Sequence, residues 1–230
     1  TNANLLNENT DNNIAPAGSQ QINDPNAINN IGVVNDTTVY NKYCLGEVKI
    51  TYQNTDYSTE TMTKLTSLEL TELETNLMNN VYSDNQIPSA LQYVGLKLIR
   101  DNKIDEAFKI YRCAAEKYYD MFSMYRMASL YKYGTNEIQL TIPDVVIKNK
   151  VEPDLSKAYF WVTALIYVHL AEKGSLDPVQ NQTDWNTIAM LDDLQSKLSS
   201  KEMEQIDTDV VKFISKRYSL DKIKQQPLYN

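Results

Sequence analysis

Two stretches decide the fold, SALQYVGLKLIRD (Ser89–Asp101) and FSMYRMASLYKYG (Phe122–Gly134). Aligned, they place Ala90 opposite Ser123 and Gly95 opposite Ala128, an offset of 33 residues each time. Small residues at these points let two helices approach closely. A second pair matches in the same way. In DEAFKIYRCAAEK (Asp105–Lys117) and SKAYFWVTALIYV (Ser156–Val168), Ala107 stands opposite Ala158 and Ile110 opposite Trp161, at an offset of 51. The surplus of 18 residues falls between the helices of the second unit, in TNEIQLTIPDVVIKNKVE (Thr135–Glu152). A bare period near 33 is that of helix-pair solenoids, where one pair cannot bury its own apolar face and stacked pairs bury a continuous seam.

Outward from the repeat, helical periodicity predominates. Met62, Leu65, Leu68 or Glu69, Leu73 and Leu77 share one face of a stretch from Ser58 to about Met78, with Ser58 and Thr59 as candidate N-caps and Asn79-Asn80 as a stop. Helices are expected over 89–99, 104–118, 120–133, 153–173, 185–198 and 199–218. Pro88 fits a first helical turn, and Gly134 and Gly174 fit C-terminal stops. Ser199 with Glu202 makes a capping box ahead of the stripe Met203, Ile206, Val210, Phe213 and Ile214. Residues 1–38 are expected to be a flexible leader, because ten of the first thirty residues are Asn and few apolar residues recur. Residues 39–57 read as a β-hairpin or extended segment, since Val48, Ile50 and Tyr52 alternate with Lys49 and Thr51. Residues 58–230 form the helical domain, mostly α, with capping helices at both ends.

These residues resemble the Sel1-like repeat family, which is related to the TPR family. Met127, Ala128, Tyr131 and Gly134 match the first half of that repeat, with Ala128 in place of Gly. Asp154, Ala158 and Trp161 match the second half. Ala107, Tyr111, Ala114, Ala115 and Glu116 resemble the helix that closes the preceding unit, and KLSSKEMEQID resembles a terminal cap. The resemblance covers about 89–166. The chain departs from the pattern where Leu165 and Ile166 replace the final Ala-Ala, where Tyr118 replaces Gly, and where the 18-residue insertion replaces a short connector. It implies an α/α superhelix that binds protein.

Net charge is −8, and no window carries a basic run. That argues against nucleic acid and acidic membrane surfaces as partners. The most apolar run, Tyr159–Leu170, is too short to span a bilayer and reads as a buried helix. A chain starting at Thr1 reads as a trimmed fragment or as an exported protein without its leader. The two cysteines leave two readings open: a disulfide in an oxidising compartment, or unrelated thiols with Cys113 packed as a small apolar residue.

Chemistry is hard to assemble from this sequence. The single histidine, His169, lies late in an apolar helix and reads as packed. Acidic pairs such as Asp105-Glu106 and Asp192-Asp193 sit at helix starts or surfaces. With six glycines and no nucleophile, phosphate-loop or metal motif, neither catalysis nor a cofactor is expected. Tyrosine is the suggestive residue. Tyr118, Tyr119, Tyr125, Tyr131 and Tyr133 crowd one helix–turn–helix with Arg112 and Arg126. Tyr and Arg are enriched at interface hot spots. Tyr111 and Tyr131 are expected to fill helix–helix gaps, with their hydroxyls at the rim. Tyr125, Arg126 and Ser129 are expected to face outward and bind a partner protein, with Gln92 and Lys132. Ile142 and Val145 of the apolar insertion are expected either to touch that partner or to cover the solenoid edge. Deleting 138–148 separates these readings: unfolding indicates the cover, and normal stability with lost binding indicates the contact. The expected function is a protein-interaction adaptor, the alternative a structural subunit of a bacterial envelope or secretion assembly.

Overall fold

Ile87–Arg100 forms α1, the first helix of the stack, with Pro88 in its first turn where a missing N–H costs nothing. It ends in a left-handed Asn102 (φ 61°). The Asn102 N–H returns to the Ile99 carbonyl at 3.0 Å and the Lys103 N–H to Leu98 at 2.8 Å, a Schellman closure. The chain then enters α2, Ile104–Tyr118, as the periodicity predicts. α2 ends at a second left-handed residue, Tyr119 (φ 57°). Glycine is the residue that adopts this conformation freely, so here packing must hold it. The Tyr119 ring stacks on Phe213 at 4.9 Å, meets Tyr218 edge-on, and its hydroxyl donates to the Phe213 carbonyl at 3.2 Å.

The computed structural model describes residues 39–45, 72, 75–79, 86–134 and 151–224. α3 is Met121–Tyr133, α4 Leu155–Lys173, α5 Gln182–Gln195, α6 Ser200–Ile214 and α7 Leu220–Lys224. The first five pack in chain order, each on the next, and α6 and α7 fold back onto α4. The result is a mostly helical stack with no β-sheet among the described residues. α4 is the centre of the core. Its apolar run faces α3, α5, α6 and α7, so a helix with almost no polar face is buried on nearly every side. No helix among the described residues is long and apolar enough to cross a membrane.

The residue pairs that set the 33- and 51-residue offsets are all buried: Ala90 and Ser123, Gly95 and Ala128, Ala107 and Ala158, Ile110 and Trp161. At Gly95 the reason is direct, because an added Cβ would lie 2.6 Å from the Tyr111 ring. α1 and α2 cross where only glycine leaves room. At Gly134, an added Cβ would lie 2.2 Å from the Val151 carbonyl oxygen, and the Asp154 N–H donates to Tyr131 at 2.7 Å. The chain therefore leaves α3 and returns to start α4 at one place. The capping box forms as expected: the Ser199 N–H donates to Glu202 Oε2 at 2.9 Å and the Glu202 N–H to Ser199 Oγ at 3.3 Å. Of the stripe behind it, Val210 and Ile214 are fully buried, with Met203, Ile206 and Phe213 packed beside them.

The segment at 39–45 differs from expectation. Val39 and Tyr40 are helical and Asn41–Leu45 forms a π-helical turn, not an extended strand. The alternation at Val48, Ile50 and Tyr52 lies outside the described residues, as do the leader 1–38 and most of the helix expected from Ser58. Tertiary anchors fix the turn. Cys44 and Cys113 are disulfide-bonded. Lys42 Nζ donates to the Leu77 and Met78 carbonyls at 3.0 and 2.9 Å, satisfying the end of the helical turn at 75–78. The Tyr43 hydroxyl donates to the Leu77 carbonyl as well. Tyr118 Oη and Lys117 Nζ of α2 both donate to the Tyr43 carbonyl, at 2.6 and 2.9 Å.

Candidate functional site

Most of the side chains on α1 and α3 that were expected to face a partner are buried. Arg126 is 4% exposed, Ser129 1% and Gln92 6%, and Lys132 is buried too; Tyr125 is half-buried. The outward orientation of these residues is therefore corrected. The cause is that α3 is covered on two sides, by α2 and by α4. Its polar residues serve that packing. Gln92 Nε2 of α1 donates to both carboxylate oxygens of Asp120 at 2.8 Å, and Asp120 in turn accepts the Ser123 N–H at 2.8 Å as N-cap of α3. The Arg126 guanidinium lies over the Phe122 ring at 5.4 Å. Lys132 Nζ pairs with Asp193 of α5 at 2.8 Å. Burial pulls the Lys132 ammonium down, but its hydrogen bonds to Asp193 and Tyr133 outweigh this and raise it overall. Ile142 and Val145 lie outside the described residues.

The surface that does collect Tyr and Arg lies one helix away. Asp105, Phe108, Lys109 and Arg112 fall at helical spacing on one side of α2. With Tyr131 of α3 and Val151 they line a groove of about 550 Å³. Phe108 meets Tyr131 edge-on at 5.3 Å and forms an aromatic floor. Arg112 Nη2 donates to the Tyr131 hydroxyl at 3.2 Å and also faces Glu116 at 3.7 Å. Lys157 of α4 lies over the Tyr131 ring at 5.3 Å and pairs with Asp154 at 2.8 Å. Burial works to raise the Asp154 carboxyl, yet the bonds from Lys157 hold it below the usual carboxylate range. Arg112, Lys109 and Asp105 are exposed, so the rim is charged and the floor aromatic. Tyr131 thus fills a helix–helix gap with its hydroxyl at the rim, as expected. Tyr111 fills its gap under Gly95, but its hydroxyl is buried and finds no hydrogen-bond partner, and burial pushes the phenol up to about 12. In the sequence the spacing 105, 108, 109 and 112 marks this side of α2, whereas the tyrosines crowd the turn and α3.

His169 is buried, as expected of a packed histidine. It lines a cavity of about 240 Å³ between α4 and α5, where its Nδ1 stands 3.7 Å from Asp184 Oδ1. Among the described residues no group of three or more His, Cys, Asp or Glu could hold a metal ion. Compared with known proteins, the chain matches no family model, no curated protein and no solved structure.

Proposed function

We propose that the chain is a non-catalytic protein-interaction scaffold of Sel1-like helix pairs, and that it takes a partner segment into the α2–α3 groove. The groove carries the proposal. It combines an edge-to-face aromatic floor, Phe108 and Tyr131, with an arginine already oriented by the tyrosine hydroxyl. Rigid aromatic and Arg anchors in a recess give binding energy at low conformational cost. Two features support the family reading. Gly134 and Asp154, at motif positions, end α3 and start α4, and the motif alanines are buried between paired helices. The test is retention of interacting proteins from the native source by the full chain and by an Arg112→Glu, Tyr131→Ala variant. The variant is expected to lose the retained partner with its thermal midpoint held within a few degrees. Unchanged retention by a folded variant sinks the groove.

A second reading, a permanent subunit of an envelope or secretion assembly, draws on different residues. Trp185 is 54% exposed and Val179 86%, an apolar cost that a permanent neighbour would remove. The Cys44–Cys113 bond favours maturation in an oxidising compartment, consistent with export. Light scattering on the purified chain separates the two readings. A scaffold is expected to be monomeric, a subunit to self-associate.

A further inference from the structure

We propose that His169 and Asp184 form a pH-responsive latch that clamps the α4–α5 joint under mildly acidic conditions. Asp184 is almost wholly buried, yet among the described residues its carboxylate accepts only the Asp177 N–H, at 2.8 Å through Oδ2. Its other oxygen faces the His169 imidazole at 3.7 Å, beyond hydrogen-bond range, across the small cavity. A buried carboxylate so lightly satisfied calls for a cation or a second donor. A protonated imidazole moving by less than an ångström would supply both.

The surroundings favour the ionised pair. His169 stands near the C-terminal end of α4 and Asp184 in the first turn of α5. The helix dipoles therefore favour positive charge at His169 and negative charge at Asp184. Opposing them are the burial of both groups and, among the described residues that line the cavity, one like charge, Lys173, exposed on the rim. Among the described residues the other charged group beside the pair is Asp177 in the connection, whose carboxylate is engaged by the Val179 and Gln180 N–H groups. From α3 only Met121 reaches the cavity wall. The cavity is lined by Asn181, Thr183 and Thr187, polar enough to admit water when the latch is open. Because Asp184 also holds the Asp177 amide, closing the latch fixes the α4–α5 connection together with the helix that carries exposed Trp185.

The sign follows from linkage. A histidine whose folded-state midpoint lies above its unfolded value stabilises the fold fully below about pH 6.5, and that contribution is lost as pH rises through the folded midpoint. His169 is the sole histidine, so its imidazole can be followed without ambiguity in the intact chain by nitrogen-15 NMR from pH 5 to 8.5. The expected midpoint is above 6.5, falling by about one unit or more in Asp184→Asn. The wild-type melting temperature is expected to drop between pH 6 and 8 by several degrees more than that of His169→Gln. A wild-type midpoint at or below 6.5 overturns the latch, and this result stands even where Asp184→Asn does not fold. A raised midpoint that Asp184→Asn leaves unmoved overturns it equally.

Discussion

Gly95 and Tyr111 show how much a single crossing depends on one missing methyl group. Gly95→Ala gains helix propensity, about 1 kcal/mol, but puts a Cβ into a ring that the core holds in place. The expected outcome is a net loss of about 1–2 kcal/mol in denaturant unfolding, with an unchanged slope. Tyr111→Phe should do the reverse of what deleting a buried polar group usually does. The hydroxyl is buried without a partner, so its removal discards a desolvation cost and keeps the ring under Gly95. Stability equal to wild type, or higher by up to about 1 kcal/mol, is expected. A loss greater than 1 kcal/mol would show that the hydroxyl has a role in the fold. The need for a small residue at 95 could be read from its alignment with Ala128. The stranded hydroxyl could not, because it depends on how deep the crossing places the ring.

At the scale of elements, most boundaries were legible and most orientations were not. α2 begins and ends where periodicity put it, and the Ser199–Glu202 capping box forms. Local rules suffice there because caps and apolar spacing act within a few residues. The orientation of α3 is set at long range, by Asp193 of α5 reaching Lys132 and by Gln92 of α1 reaching Asp120. No window centred on α3 contains those partners. The same holds for the turn at 41–45, which is held by a disulfide to Cys113 and hydrogen bonds to residues 77, 78, 117 and 118, all far from it in sequence. Asp120→Ala tests the α1–α3 tie. It removes an N-cap and strands the buried Gln92 amide, with an expected cost of about 3 kcal/mol. If Gln92 instead served mainly to bind a partner, Asp120→Ala would cost only the cap, about 1 kcal/mol.

For the whole molecule the Cys44–Cys113 bond matters most, because it joins the N-terminal turn to α2 across 69 residues of sequence. Closing a loop of that length removes about 4 kcal/mol worth of unfolded-chain entropy. Reduction with a dithiol is expected to lower stability by up to that amount. Among the described positions, hydrogen exchange should rise first at 39–45 and 75–79, the segments tied through the turn. Unchanged exchange at these positions after full reduction would assign the anchoring to hydrogen bonds such as those of Lys42, Tyr43, Lys117 and Tyr118.

The meeting of Gly134 with Val151 has a consequence for how such a molecule can vary. The two feet of the intervening 16 residues stand side by side, and the pairing of α3 with α4 is closed at their base by the Tyr131–Asp154 hydrogen bond. The closure of α3 on α4 therefore rests on the feet themselves, on Gly134, Val151 and the Tyr131–Asp154 bond. Doubling the length of a flexible loop adds only about 0.6 kcal/mol of closure cost. A change of length between residues 134 and 151 is therefore expected to leave the melting temperature within a few degrees, provided the feet keep their contacts.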